Sequence, residues 1–311
     1  MMIRYIGKRF IMMAITLWVI ATLTFVLMNL IPGDPFTSEK KYSEEILNNL
    51  RAEYNLNEPL PTQYVLYLKD LAQFDLGPSI KQASRGVNDL IAEGFPVSAV
   101  LGIEAMIIAV IIGLFLGIIA SLQQNKPLDY LAMFLAVIGL SVPSFVIAPL
   151  FQKYFGVEWE LLPLAGWNGF EYTILPAIAL SSLPLALVTR LMRSNMLEVL
   201  GQDYIRTARA KGLSPYFVVS RHTVRNAILP VVTIIGPLAI GILTGSFVIE
   251  KIFAIPGIGK HFVESISNRD YPVIMGMTIF YSALLIMVNF LVDIAYSWID
   301  PRIKLGGKEA K

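Results

Sequence analysis

Apolar residues gather along this chain into six runs that can cross a hydrocarbon core, which takes about 20 mostly apolar residues per helix. With generous ends they fall at 10–31, 98–122, 131–150, 174–192, 228–249 and 274–299. The fourth run, ILPAIALSSLPLALVT, is interrupted by Pro176, Ser181, Ser182 and Pro184. Membrane helices tolerate such residues where neighbouring helices re-satisfy the freed backbone groups, so this run belongs inside a bundle. The stretch 32–97 follows a different pattern. It is polar and acid-rich, with Ile46, Leu47, Leu50 and Tyr54, then Tyr64, Leu68 and Leu71, at helical spacing, which predicts helices outside the apolar spans.

Composition supports the membrane assignment: 55% of the 311 residues are hydrophobic and 15% charged, more apolar and less charged than soluble domains. Charge placement adds an orientation, because Lys and Arg gather on the cytoplasmic side. Arg4, Lys8 and Arg9 precede the first run, and seven cations against Glu198 and Asp203 lie between the fourth and fifth. The segment 32–97 and the loop 151–173 carry the acids. The first run outlasts the apolar core of a secretory signal, and no A-x-A-like cleavage site follows, so it reads as a retained anchor. The expectation is an all-α integral membrane protein with six transmembrane helices and both termini cytoplasmic. Residues 1–31 hold the N-terminal cytoplasmic residues and first span, 32–97 an extracytoplasmic helical segment, 98–299 the transmembrane core, and 300–311 a cytoplasmic tail.

The loop between the fourth and fifth spans, about 193–227, contains DYIRTARAKGL. Leu200, Tyr204 and Ala208 recur every four residues with Ile205 beside them, opposite Gln202, Arg206 and Arg209, so an amphipathic helix is predicted. Gly212 suits the left-handed position that ends a helix. Ser214 and Pro215 supply a cap and a first-turn proline for a second helix. Three readings compete for this basic pair of helices: contact with an anionic leaflet, a DNA-binding helix pair, or docking of the apolar face in a groove on a cytosolic partner. Seven buried cations would cost on the order of 2.5–3.5 kcal/mol each, so the loop stands outside the bilayer.

Chemistry of its own is thinly represented. There is no Cys, and His222 and His261 fall on opposite sides of the membrane, where each reads as a satisfied surface residue. IPGIGKHF lacks two features of a phosphate loop, since Ala254 and His261 stand where Gly and a hydroxyl are required. Glu104, Glu250 and Asp293 lie toward span ends, where structural pairing competes with a transport role. Gly113 and Gly117, and Gly241 and Gly245, have the four-residue spacing of close helix packing. Ser141, Pro143 and Ser144 in the third span, with Ser181 and Ser182 in the fourth, mark where broken helices and hydroxyls could line a hydrated path.

Longer motifs give a resemblance. LIPGDPF, LPTQYVLYLKDLAQFDLGPS, VNDLIAEGFPVSAVLG, SVPSF, YIRTARAKGL with RHTVRNAILPVV, GSFVIEKIFAIPGIGKHFVESISNRDYPVI and LVDIAYSWIDPRI together resemble permease subunits of binding-protein-dependent ABC importers. Within these the resemblance is to the dipeptide, oligopeptide and nickel group, and DLGPS is most like the B-type oligopeptide subunit. The resemblance implies a bacterial cell-membrane translocation subunit with no catalytic residue, metal or cofactor of its own. It would pair with a second permease, two subunits that bind ATP and Mg, and an extracytoplasmic peptide-binding protein. It makes the cytoplasmic loop an EAA-type coupling loop, with Asp203, Tyr204, Arg206, Thr207, Ala208, Arg209, Lys211 and Gly212 contacting the ATPase. Counting back from Gly212, Arg206 stands where the general motif has glutamate, and Ile228, Leu229 and Pro230 lie farther from the glycine than in that motif. An ion-driven secondary transporter would want deep carboxylates and internal repeats, and an intramembrane enzyme a nucleophile, base and metal set. Both remain the alternatives.

Overall fold

The computed structural model describes residues 2–31, 36, 44–82, 84–243 and 247–299, and among these it is nearly all helical. In chain order the helices are α1 (Met2–Leu30), α2 (Glu44–Glu53), α3 (Leu60–Ala72), α4 (Val87–Leu122), α5 (Pro127–Ser141), α6 (Ser144–Phe151), α7 (Glu171–Leu200), α8 (Asp203–Ala210), α9 (Pro215–Phe217), α10 (Arg225–Ala227), α11 (Leu229–Leu243), α12 (Phe247–Ile252), α13 (Ile258–Asn268) and α14 (Tyr271–Ile299). Wider π-helical turns follow α6 at Gln152–Glu158 and α9 at Val218–Val224.

Among the described residues four helices are long and apolar enough to span: Gly7–Leu30, Val87–Leu122, Glu171–Leu200 and Tyr271–Val292. The expected third span is a helix pair, Pro127–Ser141 and Ser144–Glu158, bent by 109°. The bend has a local cause, because Pro143 disfavours helical backbone at Val142, which adopts φ −97° and ψ 118°. The expected fifth span, 228–249, takes in α11 with its apolar stretch Leu229–Ala239 and the start of α12. Residues 244–246 between the two helices, Gly245 among them, and the tail 300–311 lie outside the described residues.

The chain divides into two compact units. Within the described residues, the first takes its material from both ends of the sequence, Met1–Pro96 and Gly257–Phe290. Val87, Leu90, Ile91, Ile258, Val273 and Met277 form its buried core. Gly94 lets two backbones meet there, since an added Cβ would stand 2.9 Å from the Ile258 Cα. Asp270 is 2% exposed and organises a turn around its carboxylate. The Ser79 hydroxyl donates to it at 2.5 Å, and the Ile80 and Lys81 amides at 3.1 and 3.2 Å. Three donors satisfy a charge that would otherwise be costly to bury. His261 departs from the surface role expected for it: it is half-buried, and its Nδ1 has no partner among the described residues.

Among the described residues the second unit, 97–256 with 291–299, holds the core built on Leu101, Ala105, Leu175, Ala179, Ile249 and Phe253. α5 and α7 pair extensively, and glycines bring α7 close to two neighbours. An added Cβ at Gly139 on α5 would stand 2.6 Å from the Ser182 carbonyl oxygen, and one at Gly117 on α4 2.7 Å from Met192 Cβ. The Gly113 and Gly117 packing therefore holds. At Gly241, by contrast, an added Cβ would meet nothing within 4 Å among the described residues. Asp129, in the first turn of α5, is 2% exposed. Arg193 on α7 grips it through two parallel bonds, Nε to Oδ1 at 2.6 Å and Nη2 to Oδ2 at 2.7 Å. The Asn125 amide adds a third donor at 2.9 Å. Ser98 donates to the buried Glu250 carboxylate at 2.7 Å, which makes that acid part of a structural pair.

Removing one partner of a buried ion pair strands the other. Asp129→Ala should lower unfolding stability in detergent by about 3 kcal/mol, whereas Asp129→Leu with Arg193→Met should recover most of the loss; equal loss in both variants would contradict the pairing. For His261, burial first and the nearby Arg85 second hold the imidazole below its usual pKa. The unfolded chain then takes up the proton first, so stability is complete above about pH 6.5. It falls as pH drops through the folded-state value. Thermal midpoints measured from pH 7.5 to 5 should decline, and His261→Leu should flatten part of that decline.

Candidate functional site

The loop after α7 folds as the turn signals predict. α8 ends in a Schellman arrangement: the Gly212 amide donates to the Arg209 carbonyl at 2.9 Å, and the Leu213 amide to the Ala208 carbonyl at 3.3 Å. Gly212 adopts φ +80°, which a side chain would strain. Ser214 caps the next helix by accepting from the Phe217 amide at 3.4 Å.

The orientation of α8 corrects the expected apolar face. Ile205 and Ala208 are buried, but against Val218 and Val199 of the same chain. The apolar stripe is thus covered, and neither a leaflet nor a partner groove can receive it. Tyr204, expected on that stripe, is exposed, and its hydroxyl accepts from Asn226 Nδ2 at 2.9 Å. Asp203, Arg206, Thr207, Arg209, Lys211 and Gly212 are exposed with it, so seven of the eight loop residues singled out share an accessible polar surface and Ala208 does not. Arg206 lies 3.6 Å from Asp203 in an open surface pair, worth little to stability. Arg209 instead borders a recess of about 330 Å³ walled by Leu122, Leu200, Leu213 and Val218.

α7 connects this loop to the other group of residues. Its 30 residues extend about 45 Å at 1.5 Å per residue. The end nearer the loop is braced twice, by the Asp129–Arg193 pair and by Val188, Met192 and Met196 against Ala227 and Val231. Farther along, a cavity of about 490 Å³ opens at the break between α5 and α6. Ser141, Pro143 and Ser144 line it, and so do Pro184 on α7 and Pro237 and Gly241 on α11. Pro184 has no N–H to offer the carbonyl four residues earlier, which belongs to Leu180, itself a lining residue. Ser181 and Ser182 are not in this lining. Their hydroxyls donate to the Ile178 and Ala179 carbonyls of their own helix at 2.8 Å, a common retreat for serine in an apolar helix.

Two pairs of residues escaped sequence reasoning in these roles. Arg193 reads only as one of the loop cations, and Asp129 is passed over, although a lone Asp just before an apolar run signals that it needs a partner. Pro237 and Gly241 sit at cavity positions that spacing alone could not pair with a break a hundred residues earlier.

Comparison with known proteins gives the context. Residues 113–305 match the family described as binding-protein-dependent transport system inner membrane component, and residues 2–102 match its N-terminal companion. The dipeptide transport system permease protein DppB of Bacillus subtilis is 57% identical over 307 residues, covering 99% of this chain and all of that protein. The oligopeptide transport system permease protein OppB of Escherichia coli K12 is 46% identical over 305 residues, 97% of this chain and all of that protein. Among solved structures, the inward-facing MetNI methionine ABC transporter superposes with a TM-score of 0.56 at 15% identity, over 68% of this chain and 96% of its own. An amino acid ABC transporter crystallised with histidines gives 0.54 at 16%, over 68% and 94%. These two show the fold. The bent helix pair, the braced α7 and the capped basic loop are therefore those of a multi-pass membrane protein that belongs to the family of binding-protein-dependent transport system inner membrane components.

Proposed function

We propose that the chain is the translocation-pathway subunit of an ATP-driven peptide importer, passing dipeptides or oligopeptides from an extracytoplasmic binding protein into the cytoplasm by alternating access. The observation that carries this reading is the fixed presentation of α8. Its apolar side is locked onto its own chain and its polar, cationic side faces outward, on a loop continuous with a braced spanning helix. Such an element transmits a push. The names of the relatives supply the cargo class, peptide, and leave its length open.

In this reading α11 and its continuation complete six spans, with both termini and the α8 loop in the cytoplasm of a bacterial cell. A second homologous permease shares the pathway. Two ATP-binding subunits, holding ATP and Mg, dock on Asp203, Tyr204, Arg206, Thr207, Arg209, Lys211 and Gly212. Ala208 serves beneath them as the seat of the helix. Ser141, Pro143 and Ser144 line the substrate path at the break, where a neutral, hydroxyl-bearing wall accepts varied side chains without trapping any one of them. Ser181 and Ser182 act nearby by closing carbonyls that would otherwise need water.

Closing of the ATP-binding subunits moves α8. Because Arg193 holds Asp129, the displacement reaches the foot of α5 as well as α7; α5 ends at the cavity and α7 runs past it. An ion-driven mechanism would need a deep carboxylate available to titrate, and the buried Glu250 is already engaged by Ser98.

Gly212→Val should strain the cap and reduce peptide-stimulated ATP hydrolysis of the assembled transporter at least about tenfold, the equivalent of ~1.4 kcal/mol of coupling, with membrane insertion intact. Unchanged stimulation would remove α8 from the coupling path. Reversal of Arg206 and Arg209 to Glu should weaken co-purification of the ATP-binding subunits more than retention on anionic vesicles; the opposite order would return the loop to the membrane surface. Ser144→Trp should slow peptide uptake while leaving basal ATP hydrolysis in place, and uptake at the native rate would place the path elsewhere.

A further inference from the structure

α3 belongs to the polar segment that follows the first span, yet it carries apolar residues on two sides. One side meets α1 within the first unit. The hydroxyls of Tyr64 and Thr22 share a hydrogen bond of 2.6 Å, and the Tyr64 and Tyr67 rings have centroids 5.3 and 5.7 Å from that of Phe25. The opposite side is apolar as well. Pro61, Val65, Leu68 and Ala72 follow one another at helical spacing along a single stripe, and no residue of α3 is buried. Val65 is 63% exposed, and Leu60 opens the helix 54% exposed.

The far end repeats the pattern at Phe74, which is 85% exposed. Its φ of +59° is a left-handed conformation that residues with side chains seldom adopt. Asn88 on α4 holds it there: its Nδ2 donates to the Phe74 carbonyl at 2.7 Å, and its Oδ1 accepts from the Leu76 amide at 3.0 Å. The exposed ring is therefore fixed in place by the fold.

Depth decides what these residues face. The apolar span Gly7–Leu30 is about 36 Å long at 1.5 Å per residue, against a hydrocarbon core of about 30 Å. Thr22 lies about 12 Å along the helix axis from Leu30, and so about 9 Å inside the core when the span is centred. A tyrosine side chain is shorter than that. With its hydroxyl on Thr22, Tyr64 cannot hold the α3 backbone above the headgroups.

We infer that α3 is an interfacial helix, seated in the leaflet at the Leu30 end of α1 with the Pro61–Ala72 stripe against acyl chains. In the orientation proposed above this is the outer leaflet. Helices that lie in the interface bury their apolar face by about 5–10 Å, the depth that Thr22 sets. The occupant follows from continuity, because α1 exposes Leu23, Val26 and Leu27 at the same level, and a spanning helix exposes such residues to lipid. A soluble protein would have to reach the stripe through that lipid. Polar groups on α3 fit the setting. Gln63 donates to the Glu58 carbonyl at 2.8 Å, and Lys69, one turn beyond Val65 and exposed, has a stem long enough to carry its ammonium to the headgroups.

The chain has no cysteine, so nitroxide labels can be placed singly, at Val65→Cys and at Ala72→Cys. Leu23→Cys on α1 supplies the lipid reference and Glu45→Cys on α2 the aqueous one. The full chain is measured in phosphatidylcholine nanodiscs, alone and assembled with the subunits proposed above, by power-saturation EPR. Oxygen concentrates among acyl chains and a nickel chelate stays in water. The ratio of oxygen to nickel access at both stripe positions should match that at Leu23 and exceed that at Glu45 several-fold, in both samples. A ratio no higher than that at Glu45 would return α3 to water and overturn the inference. Exclusion of both reagents from Val65 would overturn it too, giving the stripe to a protein neighbour. The inference rests on α1 spanning the membrane and on nothing about cargo or coupling, so its failure would leave the transport reading standing.

Discussion

Within hydrocarbon, every backbone donor and acceptor needs a partner supplied by the protein or by water the protein admits. That constraint decides where this chain is regular and where it breaks. α4 and α7 run for 36 and 30 residues despite their internal prolines, and in α7 both Pro176 and Pro184 are buried within the protein. Pro143 leaves no such option, and the third span turns through 109° at that point. The resulting gap is faced by Pro184 and Pro237 from two other helices. Three helix-breaking residues from distant parts of the sequence share one space, so their freed backbone groups face protein and a cavity, not lipid.

Much of this was legible beforehand, for physical reasons. Spans announce themselves by composition over about 20 residues, and the Gly212 turn by a local requirement for left-handed backbone. Side-chain destinations were harder to read. Tyr204 and Ile205 are adjacent on the helical wheel, and nothing in the spacing says which of the two lies against Val218. Ser181 and Ser182 look alike to Ser141 and Ser144 in sequence. The first pair sits in an unbroken helical turn and bonds its own carbonyls, whereas the second flanks a break. The ion pair of Asp129 and Arg193 joins residues 64 positions apart, a separation at which a single sequence carries no pairing information.

In the proposed mechanism the site is a relay more than a pocket: α8 would contribute surface, the Asp129–Arg193 pair rigidity, and the proline cluster the place where a rotation changes the opening. Interfaces of this kind tend to have discrete arrangements because packed side chains resist continuous deformation. Glycines at Gly113, Gly117 and Gly139 bring the helices so close that even one added methyl carbon would collide. α7 therefore moves with its neighbours or not at all.

The buried Asp270 has a consequence for how the protein is made. Its carboxylate closes the turn at Ser79 across 191 positions of sequence, and the first unit draws its core from both ends of the chain. At about 5–20 residues per second of synthesis, the residues around Ser79 emerge roughly 10–40 s before the acid they surround. During that interval the amides of Ile80 and Lys81 have no carboxylate to bind, and Val87 and Leu90 have no Val273 or Met277 to pack against. The early third of the chain is thus an incomplete partner until its last quarter is made, and truncation before Asp270 would unseat the beginning of the protein as surely as its end.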